Sequence, residues 1–293
     1  MRANATVRRA ATLDQPPYHF DSAAEPILYH YTDLAGAKAI IDSQSFRLSE
    51  FTAMNDPSEF AFAKGEIELL LDRDTPHLDV VPHYALAHAF DDLEAATGLL
   101  IGSLTTRNDD LTQWRLYGDD GRGCVLGFDA DYLEHDAGVR ICRVLYESGS
   151  VAAALAAMLT ILQEQWQEDQ SDFETLQEFA RRIVMDMFTI KHPSYADERE
   201  VRISRMVTRV NAGYVDPGGN GRGGVRVPPI EVHTRKGRYG DVAYIDLPLN
   251  LAGGSAMTSV GFGPCTSDEV FDATKVELEV AGVRVWRSTL PYR

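Results

Sequence analysis

The chain holds 293 residues, 44% apolar and 25% charged, ordinary for a globular protein and ample for a real core. Its 28 Lys and Arg against 44 Asp and Glu give a net charge of −16, which argues against a broad surface for nucleic-acid backbones. No run approaches the ~18 to 20 apolar residues of a membrane span, and the scattered Cys124, Cys142 and Cys265 form neither a disulfide framework nor a zinc pattern.

Residues 1–25 read as a flexible tail, with Arg2, Arg8 and Arg9 near its start but no apolar run of a secretory signal. The rest, 26–293, reads as a single domain, and its cysteine usage fits a reducing cytoplasm. Residues 27–32, apolar and aromatic, predict a short buried strand with His30 in its middle. Leu34, Ala37, Ile40 and Ile41 recur at helical spacing, with Thr32 or Asp33 as cap. Residues 46–48 resume as a strand. Asn55-Asp56-Pro57-Ser58-Glu59 then opens a helix over 58–72, with Pro57 in its first turn and Asp56 capping it. A third helix is predicted over 83–97. Its His83 and His88 miss the spacing that puts two ligands on one face.

Residues 98–106 predict a strand that places Ser103 and Thr105 on one face. Trp114 and Tyr117 follow as core residues or as an aromatic shelf beside a pocket. Asp119 to Gly123 reads as a hairpin turn into a strand over 124–128. A strand is predicted over 139–146. Residues 150–190 change character: Ala, Leu, Gln and Glu dominate, which predicts helices inserted against the sheet, with Met158, Leu162 and Trp166 on one face.

Tyr195 to Ser204 is the second stretch dense in chemistry. As a strand it would point Glu198 and Glu200 to one face, ~7 Å apart. Two such like charges raise the pKa of one unless a cation or ligand intervenes. The alternative is an exposed edge strand laced with arginines. The Gly-rich stretch at 213–226 lacks the strand-to-helix setting of a dinucleotide loop and reads as a flexible surface loop. Strands over 241–247 and 283–288, with residues 257–264 leading into a further element and a helix capped by Ser267, complete an α+β class with a mixed or split sheet.

Several of these residues resemble, in type and order, a widespread bacterial domain family of unknown function. They are Tyr29-His30-Tyr31-Thr32, Asn55-Asp56-Pro57 with Glu59, Ser103, Trp114 with Tyr117, Gly121-Arg122-Gly123, and Glu198-x-Glu200-x-Arg202. The terminal Arg287-Ser288-Thr289-Leu290-Pro291-Tyr292 belongs with them, and the resemblance spans residues 27–292. That family looks like a distant branch of the ADP-ribosyltransferase superfamily, similar in its opening strand and helix to DNA-modifying toxins and RNA 2′-phosphotransferases.

The resemblance implies an ADP-ribosyltransferase-like split mixed β-sheet with surrounding helices, and NAD, as substrate, in the cleft. It makes Glu200 the catalytic glutamate and Glu198 its upstream partner. His30, Tyr31, Thr32, Asn55, Ser103, Trp114 and Tyr117 would line the NAD site, with no metal expected. The implied reaction transfers ADP-ribose to a protein, to a nucleic acid or to water, and a defence or toxin role, held in check by a partner protein, would fit. Two rivals stand beside it. One is a metal-dependent nuclease or phosphoesterase using Asp56, Glu59, Asp119, Asp120, Glu198 and Glu200. The other is a non-catalytic binding module of the same fold.

Overall fold

The computed structural model describes residues 18–51, 61–62, 65–66, 78–146, 148–211, 213–237, 240–251, 254–280 and 282–292. Strand β1 (Ile27–Thr32) ends where Asp33 accepts from the Gly36 amide at 2.6 Å and so caps helix α1 (Leu34–Ser43). Gln44, left-handed at φ 49°, stops that helix and turns the chain into β2 (Ser45–Glu50). Helix α2 (Val80–Ala96) runs straight into the long strand β3 (Thr97–Thr105). Asp110 then caps α3 (Leu111–Leu116), and Asp129, the last residue of β4 (Cys124–Asp129), caps α4 (Ala130–His135). Strand β5 (Arg140–Arg143) precedes the helical pair α5 (Ser148–Glu168) and α6 (Phe173–Asp186).

The second half is richer in strands: β6 (Glu200–Val210), β7 (Gly213–Val215), β8 (Gly219–Asn220), β9 (Arg226–Val227), β10 (His233–Lys236), β11 (Asp241–Pro248) and β12 (Met257–Phe262). Helix α7 (Asp268–Val280) and β13 (Arg284–Arg287) close the chain. The class is α+β. An 11-stranded sheet runs β10-β11-β2-β3-β1-β4-β12-β13, with β6 alongside β3 and carrying β5 and β7. Its pairs are antiparallel except β12 with β13, so the sheet is mixed.

One feature of this sheet positions the site. Strand β6 accompanies β3 along its full length, from Thr97↔Thr208 to Thr105↔Glu200. The other edge of β3 is shared: β2 pairs at Leu100 and Ile101, and β1 pairs only at Thr105. Strands β1 and β2 therefore diverge, and the sheet forks at residues 102–104 of β3. The main core lies beneath the fork, with Leu28, Phe46, Leu48, Leu104 and Leu126 buried. A second apolar cluster joins α2, α5 and α6 through Leu86, Leu162, Leu176 and Val184.

Four sequence expectations need correction. The stretch read as a tail is fixed from Tyr18: Tyr18 and Phe20 are buried, because their rings fill apolar gaps beside β5. The turn at residues 119–123 joins α3 to β4, so it is not a hairpin, and Asp119, Asp120 and Gly121 are all left-handed. The chain is not a strand through Glu198: residues Pro193–Glu198 form a 3₁₀ turn, Arg199 is left-handed at φ 46°, and β6 begins at Glu200. The Gly-rich stretch is anchored, because Asp216 within it is buried and pairs with Arg205 of β6 at 2.9 Å. Among the described residues no helix is long and apolar enough to cross a membrane.

Candidate active site at the fork of the sheet

A pocket of about 550 Å³ opens where β1 and β2 part. That size suits a small-molecule or cofactor ligand. Its floor is β3 from Ile101 to Thr105; Tyr29, His30 and Tyr31 of β1 form one wall, and Phe46, Arg47 and Ser49 of β2 another. The fourth side is built from Gln113 and Tyr117 with Lys191, Tyr195, Glu198, Glu200 and Arg202.

Ser103 ties two of these walls together. Its carbonyl receives His30 Nδ1 at 3.1 Å, and its hydroxyl donates to Glu200 Oε1 at 2.6 Å. A carbonyl only accepts, so the His30 proton sits on Nδ1 and Nε2 is left as an acceptor. Burial pushes the His30 pKa below its ordinary value, and the bond to Ser103 only partly opposes this. The ring is therefore neutral near pH 7. It lies edge-on to Phe46, with centroids 4.8 Å apart.

The two glutamates share this side of the pocket through a local distortion. His192 accepts from the Ser194 amide and Pro193 opens the 3₁₀ turn, while Gln113 Nε2 and Thr105 Oγ1 hold the Glu198 carbonyl at 2.7 and 3.2 Å. The left-handed Arg199 then brings Glu200 onto the sheet. Lys191 Nζ lies between the carboxylates, 2.7 Å from Glu198 and 3.2 Å from Glu200. Arg202 reaches Glu200 with two nitrogens, at 2.8 and 3.0 Å, and Tyr117 donates to Glu198 at 2.7 Å.

Burial alone would raise the Glu200 pKa. The charge and hydrogen bonds of Arg202, the charge of Lys191 and the Ser103 hydroxyl outweigh it and hold Glu200 at about 2. Tyr117 and Tyr146 are both pushed well above the ordinary phenol range, first by burial and then by the nearby carboxylates. Two rings are available to a ligand at the mouth: Tyr117, 41% exposed, and Tyr195, 36% exposed with Lys191 Nζ 4.7 Å from its centroid.

The sequence-derived candidates divide clearly. His30, Tyr31, Ser103, Tyr117, Glu198 and Glu200 all line the pocket. Tyr31 does so without an exposed ring, which is buried edge-on against Trp114 at 4.7 Å. Trp114 itself is fully buried behind that wall, its indole nitrogen donating to Asp109, so it supports α3 and forms no shelf. Thr32 stands at the end of β1 opposite Cys124 and is not part of the lining. Asn55, with Asp56, Pro57 and Glu59, lies outside the described residues.

Lys191, Tyr195, Gln113 and Arg47 line the pocket without standing in any motif of the sequence. Lys191 carries one signal: a lone lysine between the apolar Phe188-Thr189-Ile190 and a proline, just upstream of an acidic pair. Only the folding-back of the 3₁₀ turn gives it meaning.

Comparison with known proteins bears on one part of this site. Residues 113–203 match the model of a family described as "Protein of unknown function (DUF2971)". The match contains Gln113, Tyr117, Lys191, Glu198, Glu200 and Arg202, the whole ionic side of the pocket. No curated protein matches the chain, and no solved structure matches it.

Proposed function

We propose that this protein is an NAD-using enzyme with an ADP-ribosyltransferase-like fold that cleaves the nicotinamide–ribose bond and passes ADP-ribose to a macromolecule or to water. The observation that carries this reading is Ser103, which joins His30 and Glu200 across a forked sheet through one carbonyl and one hydroxyl. The superfamily likeness calls for a histidine, a serine and a glutamate on three strands around one cleft, and these three stand so around a pocket of suitable volume.

The chemistry follows from the residues. The C1′–N bond breaks with its electron pair going to the pyridinium nitrogen, so nicotinamide leaves neutral. Positive charge grows on the ribose, and an ionised carboxylate opposes it, as in glycoside cleavage. Glu200 at about 2 is ionised at any working pH. Glu198 is the base that takes the proton of the incoming acceptor as its oxygen bonds C1′. Neutral His30 offers Nε2 to a ribose hydroxyl. Tyr117 and Tyr195 present ring faces for the nicotinamide, and the buried Tyr31 is not needed for this. Among the described residues no group of three His, Cys, Asp or Glu could hold an ion, and Asp56 and Glu59 of the metal-dependent reading lie outside them.

The test is nicotinamide release from NAD by wild type and Glu200→Gln, with and without a cell lysate and labelled NAD. A fall of about 100-fold or more is expected in a folded Glu200→Gln. Unchanged turnover would remove Glu200 from the mechanism. Absence of both release and transfer in wild type would set the NAD reading aside.

A further inference from the structure

The Glu200 carboxylate is saturated. Ser103 Oγ, Arg202 Nε, Arg202 Nη2 and Lys191 Nζ donate to it at 2.6, 2.8, 3.0 and 3.2 Å. A carboxylate offers about four lone-pair sites, so a substrate hydroxyl bonds Glu200 only in exchange for one of these donors. Three of them are fixed by the sheet. Ser103 and Arg202 stand directly opposite each other in the β3–β6 ladder, and Arg202 Nη1 is further tied to the Phe188 carbonyl at 2.6 Å.

Lys191 is held differently. It sits on the connector between two 3₁₀ turns, outside any strand. Its bond to Glu200 is the longest of the four, and a second carboxylate already holds the same ammonium more closely, Glu198 at 2.7 Å. Glu198 receives Tyr117 on its other oxygen and has capacity for a stronger hold on the lysine.

We propose that Lys191 is the positioning residue of this pocket: a counter-ion shared by Glu198 and Glu200 that cedes its place on Glu200 to a hydroxyl of the bound substrate. The exchange moves no proton and leaves the charge of the site unchanged. It rests on the NAD reading only for the identity of the hydroxyl, which is then a ribose one. Among the described residues the groups facing the ammonium include the two carboxylates, the Tyr195 ring, and, through the carboxylates, Tyr117, Arg202 and the Tyr146 hydroxyl that accepts from the Glu200 amide.

Protein carrying ¹⁵N-lysine and ¹³C-glutamate tests this through scalar couplings across hydrogen bonds, from Lys191 Nζ to the carboxylate carbons. Lys191→Arg and Glu198→Gln assign the signals. Coupling to both glutamates is expected in the ligand-free protein. Saturating ADP-ribose is expected to abolish the coupling to Glu200 and keep that to Glu198. Coupling to one carboxylate or to neither in the free protein overturns the sharing, and coupling to Glu200 that persists with ADP-ribose bound overturns the exchange.

If ADP-ribose shifts no pocket resonance, the NAD reading fails and the exchange with a ribose hydroxyl falls with it. The free-protein spectrum still decides the sharing. Lys191→Met gives a second readout in protein whose near-UV circular dichroism is native. The Glu200 titration midpoint should rise by about one pH unit or more and return in Lys191→Arg. A midpoint that does not move overturns the role of Lys191.

Discussion

Burial holds His30 as a neutral ring and imposes a pH dependence on the fold. Desolvation depresses its pKa, whereas in the unfolded chain it titrates near 6.5. Above that pH neither state holds the proton. As pH falls through 6.5 the unfolded chain binds a proton that folded His30 refuses, so stability declines until the folded pKa is passed. Urea denaturation at pH 7.5 and pH 5.5 should therefore show His30→Gln losing about 1 kcal/mol less than wild type between the two. Equal losses would mean that the ring is not held neutral. The residue types at this scale were readable. His30, Ser103, Tyr117, Glu198 and Glu200 all line one pocket, and their order along the chain suggests one site. Trp114 and Thr32, which the resemblance implies for the site, do not line the pocket, because a motif does not tell which side of a helix or strand end faces the cleft. Lys191 is not legible in the sequence, because a single lysine has no spacing to read.

At the scale of elements, periodicity and capping locate α1, α2, the helical stretch of α5 and α6, α7 and most strands, since those depend on neighbours in sequence, whereas the short α3 and α4 have no such pattern and are not predicted. The fork did not follow from them. It depends on which part of β3 each of β1 and β2 chooses, and that is a matter of long-range register. Gly102 is where the choice becomes physical. A Cβ there would stand 2.5 Å from Phe46 Cε1 and 2.8 Å from Leu48 Cδ2, so β2 lies against β3 only because position 102 has no side chain. Gly102→Ala should cost about 1–3 kcal/mol by overpacking. It should also weaken ADP-ribose binding, since the ring that must move, Phe46, lines the pocket and packs on His30. Denaturant midpoints and a calorimetric titration check both parts. Lost stability with unchanged affinity would show that Phe46 relaxes away from the pocket.

For the whole molecule, the Gly-rich stretch is the clearest case of a fold hidden from its composition. Residues 213–226 have the glycine content of a free loop, yet one carboxylate fastens them. Asp216 receives Arg205 Nε at 3.0 Å and the Gly218 and Ile230 amides at 3.0 and 2.7 Å. Arg205 in turn donates to the carbonyls of Ala137 and Pro228, both at 3.0 Å. This one buried pair thus joins β6, the chain after α4, and the segment leading to β10. Its value lies in organisation, because desolvating two charges offsets much of their attraction. Asp216→Ala should therefore destabilise by about 3–5 kcal/mol, as it leaves a guanidinium buried without its carboxylate. The double variant Arg205→Met with Asp216→Ala should recover a large part of that loss, since it removes the stranded charge. Nicotinamide release by the folded fraction should stay at the wild-type level in both, because neither residue lines the pocket. Chemical denaturation of the three proteins decides the matter. A double variant no more stable than Asp216→Ala would mean that the pair fastens the chain by net attraction and not by the avoidance of a lone buried charge.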